Sequence, residues 1–216
     1  MQGDALAWMD KTVAEPGTSV LTSLPDVSEI EELDLAGWRS WFVTTASTVL
    51  RWVPEDGVSI FYQSDIRREG ALVDKGYLVM RAAEDVGATV IFHKIVCREP
   101  PGSVGFGRPT FSHLIAMTRG QPRPPRRPTP DVLPSAGPMS WSKATGAWAC
   151  LLACRYLRDD TETRLVVDPF CGRGTVLGVA NLVGLPAVGV ERNGRRCRAA
   201  RAYSAPPMTD FPEGLQ

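Results

Sequence analysis

The sequence predicts an α/β fold built on a mainly parallel, doubly wound sheet, and three observations predict it. Short apolar runs recur between turn residues, helical patterns fill the gaps between them, and 216 residues and 23.5 kDa suffice for one domain with a self-supporting core. Runs of four to eight residues rich in Val, Ile, Leu or Phe place strands at Ser19–Ser23, Val58–Tyr62, Thr89–Val96, Ser112–Thr118, Arg164–Val167 and Ala187–Val190. Apolar residues at helical spacing place helices at Ala36–Trp52, Lys75–Val86, Trp141–Arg158, Thr175–Val183 and Asn193–Tyr203, with Gly87 and Gly184 as stops. Strands alternating with helices argue for a sheet covered on both faces.

One interval breaks that alternation. Residues 119–138 read RGQPRPPRRPTPDVLPSAGP, and seven prolines in twenty positions exclude helix and central strand. An exposed, semi-extended loop is expected there, its four arginines either touching phosphate or merely solubilising. Residues 1–204 are expected to form a single domain, with 205–216 a flexible tail.

Composition narrows the class. Hydrophobic residues make up 44%, charged residues 22%, and the mean hydropathy is -0.09, as in an ordinary soluble chain. No apolar run reaches the roughly 18 residues of a membrane span, and the opening MQGDALAWMDK lacks a basic leader. Five cysteines without a CxxC pair suggest neither a disulfide framework nor a zinc site, so a reducing cytoplasm is expected. Net charge is zero but uneven: residues 1–118 hold 10 Lys/Arg against 16 Asp/Glu, and residues 119–201 hold 14 against 6. The basic segment is either a footprint for phosphates or a solvated face.

The most informative stretch is RLVVDPFCGRGTVLGVANLVGLPAVGVERNGRRCRAAR, residues 164–201. An apolar strand ends at Asp168, a turn with two glycines follows, Thr175 can cap the next helix, and a second strand ends at Glu191. Ligands of doubly wound sheets sit at the carboxyl ends of the strands, where glycines let backbone approach closely. Glu191 is placed to accept ribose hydroxyls, and Asp168 to meet a positively charged ligand group. A dinucleotide turn would need a third glycine where Leu177 stands, and a plain strand-turn-helix without ligand is the other alternative.

DPFCGRGT resembles the S-adenosylmethionine-binding signature DPFxGxGT of the amino-methyltransferase lineage, and VLGVANLVGLPAVGVE matches the helix and acidic strand that follow it. The turn comes late in the chain, at residue 168 of 216, and the opening QGDALAWMDKTVAEPGTSVLTSLPD resembles the start of the permuted, β-type DNA amino-methyltransferases. The resemblance implies a Rossmann-like methyltransferase fold with circularly permuted motif order and S-adenosyl-L-methionine as cofactor. It implies Asp4 at the adenine amino group, and Asp168, Phe170, Cys171, Gly172, Gly174, Thr175 and Glu191 around the rest. Asp4 reads equally as a helix N-cap, and Cys171 as packing. Cys150 and Cys154, four apart on a helix, belong to the core.

In that lineage a (Asp/Asn/Ser)-Pro-Pro-(Tyr/Phe) loop accepts hydrogen bonds from the target amine and stacks on the base. Here Ser23-Leu24-Pro25-Asp26 stands in its place, keeping the polar residue and one proline but exchanging the aromatic for a carboxylate. Ser23, Pro25 and Asp26 are therefore the expected catalytic residues, with Asp26 either an acceptor for the target group or the cap of a helix starting near Ser28. Asp65, Arg67, Arg98 and Arg108 are expected at the substrate, the last beside the glycine-rich PPGSVGFGRPT, which reads as a closing loop or a plain hairpin connection. Cys97 as a covalent nucleophile is a minor alternative, and His93 and His113 look too isolated for a metal site.

Little room remains between Tyr62 and Trp141 for a target-recognition insert, and twenty of the 24 basic residues are arginine. Both features favour RNA, tRNA-like, over DNA as the nucleic-acid partner. A DNA amino-methyltransferase, a small-molecule methyltransferase, or a non-catalytic cofactor-binding subunit in a complex stays open, as does a homodimer.

Overall fold

The computed structural model describes residues 1–30, 32–141 and 143–210. In chain order the elements are α1 (Ala5–Asp10), β1 (Thr18–Thr22), a 3-10 turn (Val27–Glu29), α2 (Leu35–Trp52), β2 (Ser59–Gln63), β3 (Ile66–Arg68), β4 (Ala71–Val73), α3 (Lys75–Asp85), β5 (Thr89–Cys97), β6 (Phe111–Thr118), β7 (Val132–Leu133), α4 (Ala147–Asp160), β8 (Leu165–Asp168), α5 (Thr175–Leu182), β9 (Ala187–Gly189) and α6 (Gly194–Ala202), with a closing 3-10 turn at Met208–Asp210.

Seven strands form one sheet in the order β7-β5-β6-β2-β1-β8-β9, and β3 with β4 make a separate hairpin. Pairing is parallel throughout except at β6, which runs against both β2 and β5. The interior strands β1 and β2 are buried at all five positions, as strands covered on both faces must be. Period-two alternation then divides the core. Leu21, Ile60, Leu114 and Val166 pack against α4 and α5, whereas Val20, Phe61, Ile115 and Val167 pack against α2 and α3.

The topology places the site. β1, β2, β5, β8 and β9 all point their carboxyl ends to one edge of the sheet, because β2 and β5 are each antiparallel to the β6 between them. The chain's first residues close the same edge: Gln2 bridges to Glu191 in parallel, Gly3 donates its amide to the Glu191 carbonyl at 3.1 Å, and the Glu191 amide donates to the Met1 carbonyl at 3.1 Å.

Four expectations need correction. The proline-rich segment is not wholly an exposed loop: Val132–Leu133 adds β7 beside β5, Leu133 and Ala136 are buried, and the Lys94 ammonium draws the chain in by donating to the Thr129 and Pro130 carbonyls and the Asp131 carboxylate, all at 3.1 Å. The edge position tolerates prolines on either side. Helix α4 begins at Ala147 rather than Trp141, because its first amides are capped by the carbonyls of Pro138 and Ala136, so the intervening chain must double back. Ahead of α5, Gly174 in the left-handed region (φ 84°) occupies the cap position and Thr175 instead pairs with the Ser140 hydroxyl at 3.1 Å. The tail is partly docked: Ala205 and Met208 pack against the core, while residues 211–216 lie outside the described residues. The β3–β4 hairpin has no counterpart among the expected elements. Its strands are only three residues long, too short for a periodicity to register. Among the described residues no helix is long and apolar enough to cross a membrane.

Candidate active site

At the carboxyl edge lies a cavity of about 640 Å³. Its floor is the turn after β8, and one wall is the opening of the chain. Asp4, Asp168, Phe170, Cys171, Gly172, Thr175 and Glu191 all line it, together with Ser23 and Pro25 from the loop after β1. Segments more than 160 residues apart in sequence therefore meet here because β1 pairs with β8 and Gln2 with Glu191. Gly174 is set behind the cavity. An added Cβ there would lie 2.9 Å from the Ala200 backbone, so its role is to let α6 approach.

The cavity's chemistry suits a cationic ligand carrying hydroxyls. Asp168 is 4% exposed, and its Oδ1 accepts from Thr22 Oγ1 at 2.6 Å and from the Phe170 amide at 3.1 Å. Burial pushes its carboxyl up to about 7 against these two hydrogen bonds, with Glu191 adding like charge. A buried carboxylate in that state is relieved by a ligand ammonium. Glu191, also buried, spends Oε1 on the Asn193 amide at 2.7 Å and retains acceptor capacity for hydroxyls. Gly172 has φ 54°, and a Cβ there would meet only Trp141, at 3.9 Å, so the turn presents bare backbone to the cavity. Asp4 caps α1 through Oδ1 at 2.9 Å to the Ala7 amide, as one of its two readings has it, and it also lines the cavity. The Cys171 thiol is pushed up by burial and by Asp168 and Glu191, which disfavours its thiolate and suits a packing role.

A narrow recess opens beside this cavity, lined by Asp26, Tyr62, Gln63, Ser64, Asp65, Lys75, Arg98 and Arg108 among others. Ser23, Leu24, Glu29, Lys143 and Ala144 line both spaces. Ser23 thus stands at the junction.

Asp26 is already occupied on both oxygens. Oδ1 accepts from the Ser28 amide and hydroxyl at 3.0 and 3.2 Å, closing a capping box with Glu29, and Oδ2 accepts from Lys75 Nζ at 3.1 Å. Burial would raise its carboxyl, but Lys75, the Ser28 amide and Lys143 together hold it below the usual range. Such a group is a weak base. Its capping reading is realised and it lines the recess, but proton acceptance is disfavoured. Lys75 is itself buried, under the Trp38 ring at 5.5 Å, and desolvation draws its ammonium down while Asp26 pulls it back. The Pro25 carbonyl is likewise taken, by Trp38 Nε1 at 3.2 Å. In contrast, Gln63 is 1% exposed and its Nε2 has no hydrogen-bond partner among the described residues. A buried donor beside a recess is satisfied by an acceptor that enters there, water or ligand.

Of the residues expected at the substrate, Asp65, Arg98 and Arg108 line the recess, and Arg67 does not: it is exposed on β3. Asp65 is also bound up in structure, accepting from the Lys75 amide at 2.8 Å and facing His113 Nε2 at 3.1 Å. The two histidines are not isolated, since His93 Nε2 and His113 Nδ1 lie 2.9 Å apart. Adjacent strands β5 and β6 bring together residues twenty apart in sequence. Asp65, Asp74 and His113 bring three ligand atoms within 4.8 Å, yet both carboxylates already cap the first turn of α3. Cys97 is buried at the end of β5 and lines neither space.

Sequence reasoning missed the other wall. Trp141 lies 4.5 Å from the Arg196 guanidinium and 5.6 Å from that of Arg173, and Arg196 pairs with Glu29 at 3.0 Å, tying α6 to the loop after β1 across the cavity. Trp41 meets Phe170 edge-on at 6.5 Å. The tryptophan at the start of an expected helix was the available signal. Its departure from that helix was not.

No family model matches the sequence, and no curated protein matches it closely. Solved structures do. A Thermus thermophilus protein assigned as a DNA modification methylase, in complex with S-adenosyl-L-methionine, superposes with a TM-score of 0.70 over 93% of this chain and 90% of its own, at 20% identity. The cytosine-N4-specific PvuII DNA methyltransferase gives 0.66 at 17% identity, covering 93% and 83%. The M1.HpyAVI complex with the same cofactor gives 0.62 at 11%, covering 94% and 96%. This chain has the Rossmann-like fold of these methyltransferases. The sequence-based expectation of that fold is met, even though β6 reverses and the proline-rich segment contributes a strand.

Proposed function

We propose that residues 1–204 are one S-adenosylmethionine-dependent DNA amino-methyltransferase domain of the permuted, β-type lineage. The observation that carries this is the junction at Ser23, where a cavity suited to an ammonium- and hydroxyl-bearing ligand meets a recess with an orphaned amide donor. The bound cofactor would supply an electrophilic methyl on sulfur. Asp168 would hold its ammonium group, Glu191 its ribose hydroxyls, Asp4 the adenine amine, and the bare turn at Gly172 would lie against it.

On the acceptor side Ser23 accepts a hydrogen bond from the target amine and orients its lone pair in line. Gln63 Nε2 donates to an acceptor on the same base. Asp26 and Lys75 act as positioning residues: their ion pair fixes the loop after β1 against α3. The altered loop therefore binds its target without the aromatic of related loops.

DNA replaces RNA as the preferred substrate. Of the two features that favoured RNA, the twenty arginines suit the phosphates of either nucleic acid, and the missing room for a recognition insert does not separate them, because the structural neighbours that are named as DNA methylases are not much longer, with 90% and 83% of their chains covered. The five cysteines are free and buried, which suits a reducing cytoplasm. Incubating the purified chain with methyl-labelled cofactor and either DNA or RNA tests the reading: label in DNA supports it, label only in RNA makes RNA the substrate, and cofactor binding without transfer to either points to a non-catalytic subunit.

A further inference from the structure

Residues 99–110 join β5 to β6 and project from the carboxyl edge of the sheet, the same edge that carries the cavity and the recess. Their stems are fixed: the Arg98 and Glu99 amides both donate to the Thr110 carbonyl, at 2.7 and 3.2 Å, and Pro100, Pro101 and Pro109 stiffen either side. The tip reads Gly102-Ser103-Val104-Gly105-Phe106-Gly107, with left-handed backbone at Gly102 (φ 87°) and Gly107 (φ 80°). On that tip Phe106 is 97% exposed and Val104 85% exposed. Burying a phenylalanine is worth about 1.5–3 kcal/mol, so a stiffened hairpin that holds one in water forgoes that stabilisation. Arg98 and Arg108, at the two feet of the loop, line the recess. The apolar tip is thus carried by a loop whose two feet border the recess, where their guanidinium groups are suited to phosphate.

Resting on the proposed activity, we infer that this loop is a wedge: Phe106 inserts between base pairs of the DNA duplex beside the target, occupying the gap left as the base swings into the recess, while Arg98 and Arg108 hold the adjoining phosphates. Enzymes that act on a base within a duplex must unstack it at a cost of a few kcal/mol, and an inserted apolar side chain offsets that cost. The wedge has nothing to do on a single strand.

The test compares wild type and Phe106→Ala on a duplex that the wild type methylates and on the methylated strand alone. Stacking of one ring on a base contributes about 1–3 kcal/mol, so kcat/KM on the duplex should fall roughly 10- to 100-fold, while on the single strand it changes less than about threefold. Phe106→Trp should restore duplex activity. A duplex with 2-aminopurine beside the target should brighten with wild type and not with Phe106→Ala. Equal losses on both substrates, or none on either, overturn the wedge and leave the methyltransferase reading intact. Failure of the wild type to methylate DNA at all overturns the underlying reading and the wedge with it.

Discussion

The two halves of the site are built differently. The donor cavity is shaped by backbone: a strand end, a glycine turn with φ 54° at Gly172, and a second strand end at Glu191, all within 24 residues, with Asp4 brought alongside by one short bridge. The acceptor recess is shaped by side chains from the ends of β1, β2 and β5 and the start of α3, held by the Asp26–Lys75 pair and by Asp65. On the proposed reading, a ligand common to many enzymes would be met by contiguous backbone, and a particular target by a network that can be rearranged one side chain at a time.

The largest expected effect breaks the donor half. Asp168→Asn keeps both hydrogen bonds, since Thr22 and Phe170 both donate to Oδ1, but removes the charge. Calorimetry should show cofactor affinity reduced by about 100-fold or more, the scale of a lost charge-assisted contact to a buried partner. The same variant should melt higher than wild type at pH 8 in the absence of ligand. A carboxyl raised from 3.8 to about 7 on folding contributes stability that is present at low pH and lost as pH rises through 7, a difference of roughly 4 kcal/mol. Because the loss accumulates between the unfolded and folded values, the gap between variant and wild type should shrink to less than half at pH 5 and close at about pH 4. For the wild type, cofactor affinity should rise between pH 6 and 8 as Asp168 ionises; a flat profile would separate Asp168 from the ligand ammonium.

Lys75→Met should act on the acceptor half alone. It leaves Asp26 without its ion-pair partner while retaining the apolar stem against Trp38, so transfer should slow by about 10- to 100-fold with cofactor affinity unchanged. Loss of cofactor binding as well would show that the two halves are not separable. Gly172→Ala should cost about 1–2 kcal/mol of stability from its left-handed backbone and weaken the cofactor further by filling the space it occupies, with no effect on DNA binding by itself. Gln63→Leu is the mildest: DNA KM should rise about tenfold, as for a lost neutral hydrogen bond, with kcat nearly constant. A drop in kcat instead would move Gln63 to the reacting amine.

Legibility in the sequence followed the same division. All six expected strands and all five expected helices are present, and the cofactor-side residues line one cavity apart from Gly174, because a strand-turn-helix-strand run carries its geometry in local periodicity and glycine placement. The start of α4, the short β3–β4 hairpin and β7 were not legible, since each depends on a distant partner: the Ala136 and Pro138 carbonyls, a three-residue pairing, and Lys94.

What the amino-acid order determined by itself was the layered α/β fold and the turn that faces the cavity, both fixed by contacts between near neighbours along the chain. Only the tertiary structure decided that Asp26 is spent on Lys75 and Ser28, that His93 and His113 touch, that Arg67 stands apart and that Phe106 is left in water. Side-chain pairing across 20 to 50 residues depends on which strands lie side by side, and spacing along the chain does not encode that order.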